Sequence, residues 1–486
     1  MIERMNVLFL SAEAEPFIKV GGLGDVAGSL PRAIRELSSE ATSGITPDVR
    51  LVLPLHQAMR GARHDLRPLQ VIAVAHGSGS TSVRVFQTDF QGMPVYLLDA
   101  PQISESGSVY ASDPALDGAK YLFFSLAALE LATAMNWPAD IVHANDWHTA
   151  LAVYALHVRQ RQGGPPHTAS VLTIHNLPFM GPPMATALQE FGLQRVRTGL
   201  PEWAESRPLA LGLWAADAIV AVSPTYASEI QGVGFGAGLH TYLRARRDSL
   251  HGILNGIDVE SFNPATDTVL ATNYGAPTLA RRAANKAALQ IRCGLPQDEH
   301  LMTFGVVSRL DVQKGTDLIT AAFRRLQDAN CQLVVLGIGQ PRLEQSLRRL
   351  QRDFPANVRV EIAYDPTLAR QIYAGADALL MPSRYEPCGL AQMIAMRYGC
   401  IPVVSAVGGL VDTVRDGVTG FVIGTPTAAR LVAAMRKTAL AFQDASGWTA
   451  MQRMAMAQDF SWDTSARRYF GLYMSLLAST RARIAD

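Results

Sequence analysis

The sequence predicts two doubly wound α/β domains, each a parallel sheet wrapped by helices, facing a ligand cleft. Three observations predict this class. Short apolar, β-branched runs alternate with helix-period segments along the chain, which is the pattern of βα units in parallel sheets. The 486 residues exceed one ordinary core and suit two domains of roughly 200–250 residues. Polar and glycine residues cluster where the apolar runs end, and in open α/β sheets ligands bind outside those ends.

In the first half the predicted strands are Met5–Leu10, Asp48–Leu53, Asp140–His143, Ser170–Ile174 and Ala218–Val222. In the second half they are Leu301–Val307, Gln332–Leu336, Asn357–Ile362, Asp377–Met381 and Ile401–Val404, with helical periodicity over Lys314–Asp328 and Arg342–Gln351. A closed eight-unit barrel is the rival arrangement. The Gly/Asn/Pro-rich stretch Leu254–Pro264 breaks the rhythm near mid-chain, and the boundary is placed there. The expected domains are residues 1–258 and 259–460, with a final segment, 461–486, whose aromatic and apolar positions over Ser461–Leu477 repeat at helical spacing.

Composition excludes several function classes. Hydrophobic residues make up 48% and charged residues 17%, so the chain is not of a disordered type. Its 43 Lys and Arg face 42 Asp and Glu, a formal net charge of +1. That balance offers no footprint for nucleic acid or an anionic membrane, so any anion must be held by local geometry. Cys293, Cys331, Cys388 and Cys400 show no Cys-x-x-Cys spacing, which suits reduced thiols rather than a disulfide scaffold or zinc site. The N-terminal apolar run falls short of a signal h-region of about 7–15 residues, and no stretch reaches the ~20 residues of a membrane span. A cytoplasmic protein is expected.

Lys19-Val20-Gly21-Gly22-Leu23-Gly24-Asp25 follows the first strand and opens a helix. Paired glycines let backbone N–H groups approach an anion beside a helix N-terminus and a lysine charge. Alone, the segment also reads as a tight turn with a solvated lysine. It is not the dinucleotide fingerprint, because Ala27 stands at the third glycine position. His143-Ala144-Asn145-Asp146-Trp147-His148 ends another strand. Two histidines and an aspartate suggest a metal, but the spacing is poor for joint ligation and no glutamate completes a zinc motif. Sugar recognition suits an Asp, an Asn and a flat indole better. His175 sits at the end of a further strand, where a lone histidine is more often structural than functional, and Asn255-Gly256-Ile257-Asp258 is a turn signal.

Arg309 and Lys314 flank a strand-to-helix turn, where both cations and a helix N-terminus can converge on one anion. A surface salt-bridge cluster is the alternative. Glu386-Pro387-Cys388-Gly389-Leu390 follows an apolar strand; its carboxylate is placed to accept hydrogen bonds from sugar hydroxyls. A catalytic Cys388 is the rival, though the papain-type signature is absent. Gly408-Gly409-Leu410 opens one more helix.

Taken in order, KVGGLGDV, HANDWHT, TIHNLPFMG, SPTYASEI, GILNGID, FNPATD, VSRLDVQKG, PSRYEPCGL and GGLVDTV closely resemble the motifs of bacterial glycogen synthases and plant starch synthases, glycosyltransferase family five. The resemblance runs from about Met5 to the final helix. It implies the two-Rossmann glycosyltransferase fold, GT-B, with the donor on the C-terminal domain and the glucan acceptor mainly on the N-terminal one. The terminal segment would cross back to the first domain. By the same resemblance Arg309 and Lys314 bind the donor diphosphate, joined by Lys19 with the Gly21-Gly22 loop, and Glu386 holds glucose hydroxyls. Asp146, His175 and Asn255 would line the sugar, and Tyr364 would stack on the base. The backbone of Cys388, Gly389, Leu390, Gly408 and Gly409 would complete the substrate contacts.

Some positions depart from the family pattern: Ala391 for Thr after EPCGL, Val407 for Thr before Gly-Gly-Leu, Phe262 for Trp, and IHNLPFMG for IHNLAYQG. Ile394 stands eight residues after Glu386, which breaks the paired-glutamate pattern of family-four transferases. The implied reaction is retaining transfer of glucose from ADP-glucose to the 4-hydroxyl of an α-1,4-glucan such as glycogen or a maltooligosaccharide. No cofactor and no metal are expected, because cationic side chains neutralise the leaving diphosphate. The alternatives are a UDP-glucose or small-acceptor transferase of the same fold, and an inactive glucan-binding relative.

Overall fold

The computed structural model describes residues 3–60, 65–164, 168–193, 198–326 and 331–485. Its backbone divides into two units, Met1–Gly256 with Trp462–Asp486, and Ile257–Ser461.

In the first unit the described strands are β1 (Arg4–Leu10), β2 (Thr46–Pro54), β3 (Arg67–His76), β4 (Gly79–Phe90), β5 (Met93–Asp99), β6 (Ile141–Asn145), β7 (Ala169–Ile174), β8 (Ala218–Ala221) and β9 (Leu250–Gly252). They form one sheet in the order β3-β4-β5-β2-β1-β6-β7-β8-β9. The runs read as continuous apolar strands, β1, β6, β7 and β8, are buried on both faces and pair in parallel, as strands covered by helices on both sides must be. The chain leaves β1 toward β2 and later returns to β6 on its other side, so the direction of winding reverses at the β1/β6 pair.

β3 and β4 are an antiparallel addition, joined to the parallel strands through β5, and the sequence reading missed all three as well as the short β9. For β3 and β4 the physical reason lies in their burial. β3 and β4 alternate exposed and buried positions, because one face meets solvent, and a search for unbroken apolar runs passes over such strands.

The core on one face of this sheet gathers Val7, Phe9, Val26, Leu30, Ile34, Val49 and Leu51 with Trp462, Tyr469, Phe470, Tyr473 and Leu477. The last five lie on the final helix, Trp462–Ala485, which packs against the first helix, Gly22–Arg35. Burial of each large apolar side chain contributes about 1.5–3 kcal/mol. The Tyr473 hydroxyl also bonds His143 Nδ1 at 2.6 Å.

In the second unit, β10 (Met302–Val307), β11 (Cys331–Leu336), β12 (Val358–Glu361), β13 (Ala378–Met381), β14 (Ile401–Ser405) and β15 (Phe421–Ile423) form a sheet ordered β12-β11-β10-β13-β14-β15, with every pair parallel. Winding reverses at β10/β13. The helix expected over Lys314–Asp328 spans Thr316–Phe323 instead, with Asp328 outside the described residues. Lys314 belongs to the preceding turn because its backbone N–H donates to Asp311 Oδ1 at 2.8 Å.

Candidate active site

In both units the loops with chemistry leave the carboxyl ends of strands at the winding reversal, the location where open α/β sheets place ligands.

In the first unit, the segment after β1 is organised by Glu13, a carboxylate 1% exposed. Its Oε2 accepts from Val20 N and, at 3.1 Å, from Gly21 N, while Oε1 accepts from the Tyr110 hydroxyl at 2.9 Å. The glycine turn is therefore shaped by a residue the sequence reading did not single out. Tyr110 lies in a distant loop, without a motif to mark it. Lys19 Nζ is 2.6 Å from Asp25 Oδ1 and 2.9 Å from Glu15 Oε2. Burial opposes its charge, but Asp25 and then Glu15 more than offset this, and the ammonium is held above its ordinary pKa.

Asp146 opens the helix Asp146–Arg161 directly after β6 with φ 53°, a left-handed conformation costing of order 1 kcal/mol for a non-glycine residue. The strained turn lets Oδ1 accept from His175 N at 2.7 Å and Asn176 N at 3.2 Å. Burial pushes the Asp146 carboxyl up to about 7, against the lowering effect of those two donors. His175 Nε2 meets Asn145 Oδ1 at 2.9 Å. Asn145 Nδ2 is engaged with Leu10 O, so the amide oxygen faces the ring, Nε2 carries the proton and Nδ1 is the acceptor. Burial lowers the His175 pKa to about 3, leaving a neutral ring near pH 7. His143 is different: fully buried between Tyr473 and Thr173, it ties the final helix to the sheet. His148 is buried among Tyr110, Tyr121 and Trp147. Asn255 is buried, and its Oδ1 has no hydrogen-bond partner among the described residues.

These histidines make stability pH-dependent. His143 and His175 are depressed to about 3 and His56 to about 4, each chiefly by burial. Unfolded histidine titrates near about 6.5. Below that pH the unfolded chain binds protons the fold refuses, so stability is present above about 6.5 and is lost as pH falls. Asp146, raised by burial, has the opposite sign, but the histidines outweigh it. The transition midpoint is expected to fall between pH 7 and pH 5, at about 1 kcal/mol per histidine per pH unit. Thermal or urea unfolding at both pH values checks this; an equal or higher midpoint at pH 5 contradicts it.

In the second unit, the loops after β10, β13 and β14 converge. Lys314 Nζ contacts both oxygens of Glu386, at 2.8 and 2.6 Å, and Ser383 Oγ donates to Glu386 Oε2 at 3.0 Å. Glu386 is 5% exposed, so its charge is compensated where burial would otherwise be costly. Arg309 is the opposite case: its side chain is 62% exposed and lies 3.0 Å from Asp311 Oδ2. Gly408 has φ 43°, and a Cβ there would stand 2.0 Å from Glu386 O, so only glycine lets this turn close on the Glu386 loop. Gly409 N donates to Glu386 O at 3.2 Å. Cys388 is buried, and Leu390 immediately precedes the short helix Ala391–Arg397. Tyr364, after β12, presents an exposed ring. Among the described residues no group of three His, Cys, Asp or Glu side chains is arranged to hold a metal ion.

Comparison with known proteins decides the family. The starch synthase catalytic domain matches residues 6–245, and glycosyl transferases group 1 matches residues 291–440. A glycogen synthase of Aromatoleum aromaticum is 39% identical, covering 99% of this chain and 98% of its own. The chain belongs to the glycogen and starch synthase family. A family member from Anaeromyxobacter is 40% identical, covering 98% of this chain and all of its own. Among solved structures, the catalytic domain of starch synthase IV from Arabidopsis thaliana, bound to ADP and acarbose, superposes with a TM-score of 0.89 at 30% identity, covering 98% of this chain and 99% of that one. Sucrose-phosphate synthase from Thermosynechococcus elongatus shares the fold, with a TM-score of 0.60 at 18% identity, covering 98% of this chain and 100% of that one. The synthase-family chain is thus a GT-B hexosyltransferase. No described helix is long and apolar enough to cross a membrane.

Proposed function

We propose that this chain transfers glucose from ADP-glucose to the non-reducing 4-hydroxyl of an α-1,4-glucan, with retention at the anomeric carbon, in a cytoplasmic setting. The observation that carries the reading is the Lys314–Glu386 pair at the carboxyl ends of β10 and β13, in a chain of the synthase family. The ADP and acarbose of the starch synthase IV complex support a nucleotide donor and a glucan acceptor.

The second unit takes the donor. Tyr364 stacks on the base, and Arg309 and Lys314 neutralise the departing diphosphate. Backbone N–H groups of Gly389, Leu390, Gly408 and Gly409 supply further donors, and Glu386 accepts hydrogen bonds from glucose hydroxyls. A retaining glycosidase uses two carboxylates about 5–5.5 Å apart. Glu386 is instead engaged by a lysine and a serine, so the reading assigns it no nucleophilic role. Stabilisation of the leaving group carries the reaction, and the departing phosphate takes the acceptor's proton on the same face. The first unit takes the glucan, with Asp146, His175 and Asn255 along the sugar. Lys19, with the Gly21-Gly22 turn, is a further anion-binding group; it exchanges Asp25 and Glu15 for the ligand.

The test is nucleotide release and polymer growth with glycogen and either ADP-glucose or UDP-glucose, with and without EDTA. ADP-glucose is expected to be the better donor, and turnover is expected to survive chelation because side-chain cations supply the charge. A strong UDP-glucose preference would overturn the donor assignment. Loss in EDTA with rescue by a divalent ion would overturn the metal-free mechanism.

A further inference from the structure

Gln392 is fully buried and lies outside the chemistry assigned above. Its Nε2 donates to Cys388 O at 3.1 Å, to Gly389 O at 3.0 Å and to Thr413 Oγ1 at 3.2 Å. The amide orientation is set by its surroundings, since two carbonyl oxygens face that end and only a donor fits there. Thr413 Oγ1 in turn donates to Gly409 O at 2.7 Å, and Gly409 N bonds back to Glu386 O. One side chain therefore ties the Glu386–Leu390 loop to the helix Gly408–Thr413.

The other end of the amide sharpens the point. Gln392 Oε1 is buried and has no hydrogen-bond partner among the described residues. It lies so close beneath Gly389 (φ 71°) that a Cβ there would stand 2.4 Å away. An unpaired buried acceptor carries an uncompensated desolvation penalty, and an apolar side chain of similar length would fill the space without that cost. Such unsatisfied groups call for a reason beyond packing. The reason available here is geometric: the carbonyls of residues 388 and 389 are pinned, which fixes the peptide planes whose N–H groups belong to Gly389 and Leu390.

We propose that Gln392 is a positioning residue for transfer, holding the Glu386–Leu390 loop in register with the Gly408-Gly409 turn; this rests on the donor-site reading above. It acts through Glu386 and the loop backbone, and touches no substrate. Misplacement of a catalytic loop by a fraction of an ångström costs rate far from the chemistry. Residues acting as one unit give non-additive kinetics.

The experiment is a double-mutant cycle in the full chain, measuring kcat and donor KM for Gln392→Met, Glu386→Gln and the double variant well below each melting transition. Gln392→Met is expected to lower kcat about 10–100-fold, yet to cost less than about threefold on the Glu386→Gln background. Multiplicative effects, or wild-type kcat with only a lowered Tm, would overturn the proposal and leave Gln392 a packing residue. If Gln392→Met does not fold, Thr413→Val removes the same link from its other end, and its cycle with Glu386→Gln decides by the same criterion. Unimpaired Glu386→Gln kinetics would sink the sugar-site reading and this inference together. An impaired Glu386→Gln with a multiplicative double variant sinks this inference alone.

Discussion

Lys314→Ala and Arg309→Ala are each expected to lower kcat/KM by about 10²–10⁴-fold, the range for removing a group that stabilises developing charge. Both cations follow the carboxyl end of β10, and both are proposed to meet the departing diphosphate, whose negative charge peaks as the glycosidic bond breaks. The structure adds a distinction between them. Lys314 is committed to both oxygens of buried Glu386, so its loss also strands a carboxylate in a low-dielectric site. Arg309 is mostly exposed, with Asp311 as its counter-ion, and exposed pairs contribute only about 0–1 kcal/mol to stability. Lys314→Ala should therefore lower the melting temperature as well as the rate, and Arg309→Ala the rate almost alone. Steady-state kinetics with calorimetry separates the two. Near-wild-type kinetics would return Arg309 to an ordinary surface ion pair, and Lys314 to a structural partner of buried Glu386.

Glu386→Gln is the second large effect. The carboxylate accepts from Lys314 Nζ and Ser383 Oγ and is proposed to accept from glucose hydroxyls. Those bonds strengthen as the ring gains positive charge, so they favour the transition state over the bound donor. Glutamine keeps the shape, replaces one acceptor with a donor and removes the charge. A fall in kcat of about 10²–10³-fold is expected, with a much smaller change in KM and ADP binding nearly as before. Cys388→Ser, two residues on, should keep far more activity, because its thiol has no nucleophilic role in this reading. A dead serine variant beside a working glutamine variant would reverse these assignments and restore a covalent cysteine mechanism.

The two-domain parallel α/β class was legible because its signals are local, whereas the GT-B assignment came from the resemblance. A buried parallel strand declares itself as an unbroken apolar run, as in Leu333–Leu336 or Ala378–Met381. A turn that opens a helix declares itself through glycine and a charged residue, as at Lys19–Asp25. Of the strands that escaped, β3 and β4 are half-exposed, so their apolar residues alternate with polar ones and read as loop; β9 and β15 span three residues each, too short to read as runs; and β5, though apolar and buried, was passed over.

Of the candidate site, the sequence by itself determined which residue types stand at strand ends: Lys19, Asp146, His175, Arg309, Lys314 and Glu386. Only the tertiary structure decided their partners, and the direction in which the pKa values of Lys19, Asp146 and His175 move. Lys314 and Glu386 are 72 positions apart, yet form one ion pair because β10 and β13 lie side by side. Glu13 finds Tyr110 across 97 positions, and Asp146 reaches the backbone at His175 because β6 and β7 are neighbours. The Asp146 carboxyl is raised and the His175 ring neutralised by loss of water around them. Desolvation depends on everything packed nearby, so no local stretch of sequence contains it. Residue identity is local, whereas charge, pairing and pKa are properties of what the fold brings together.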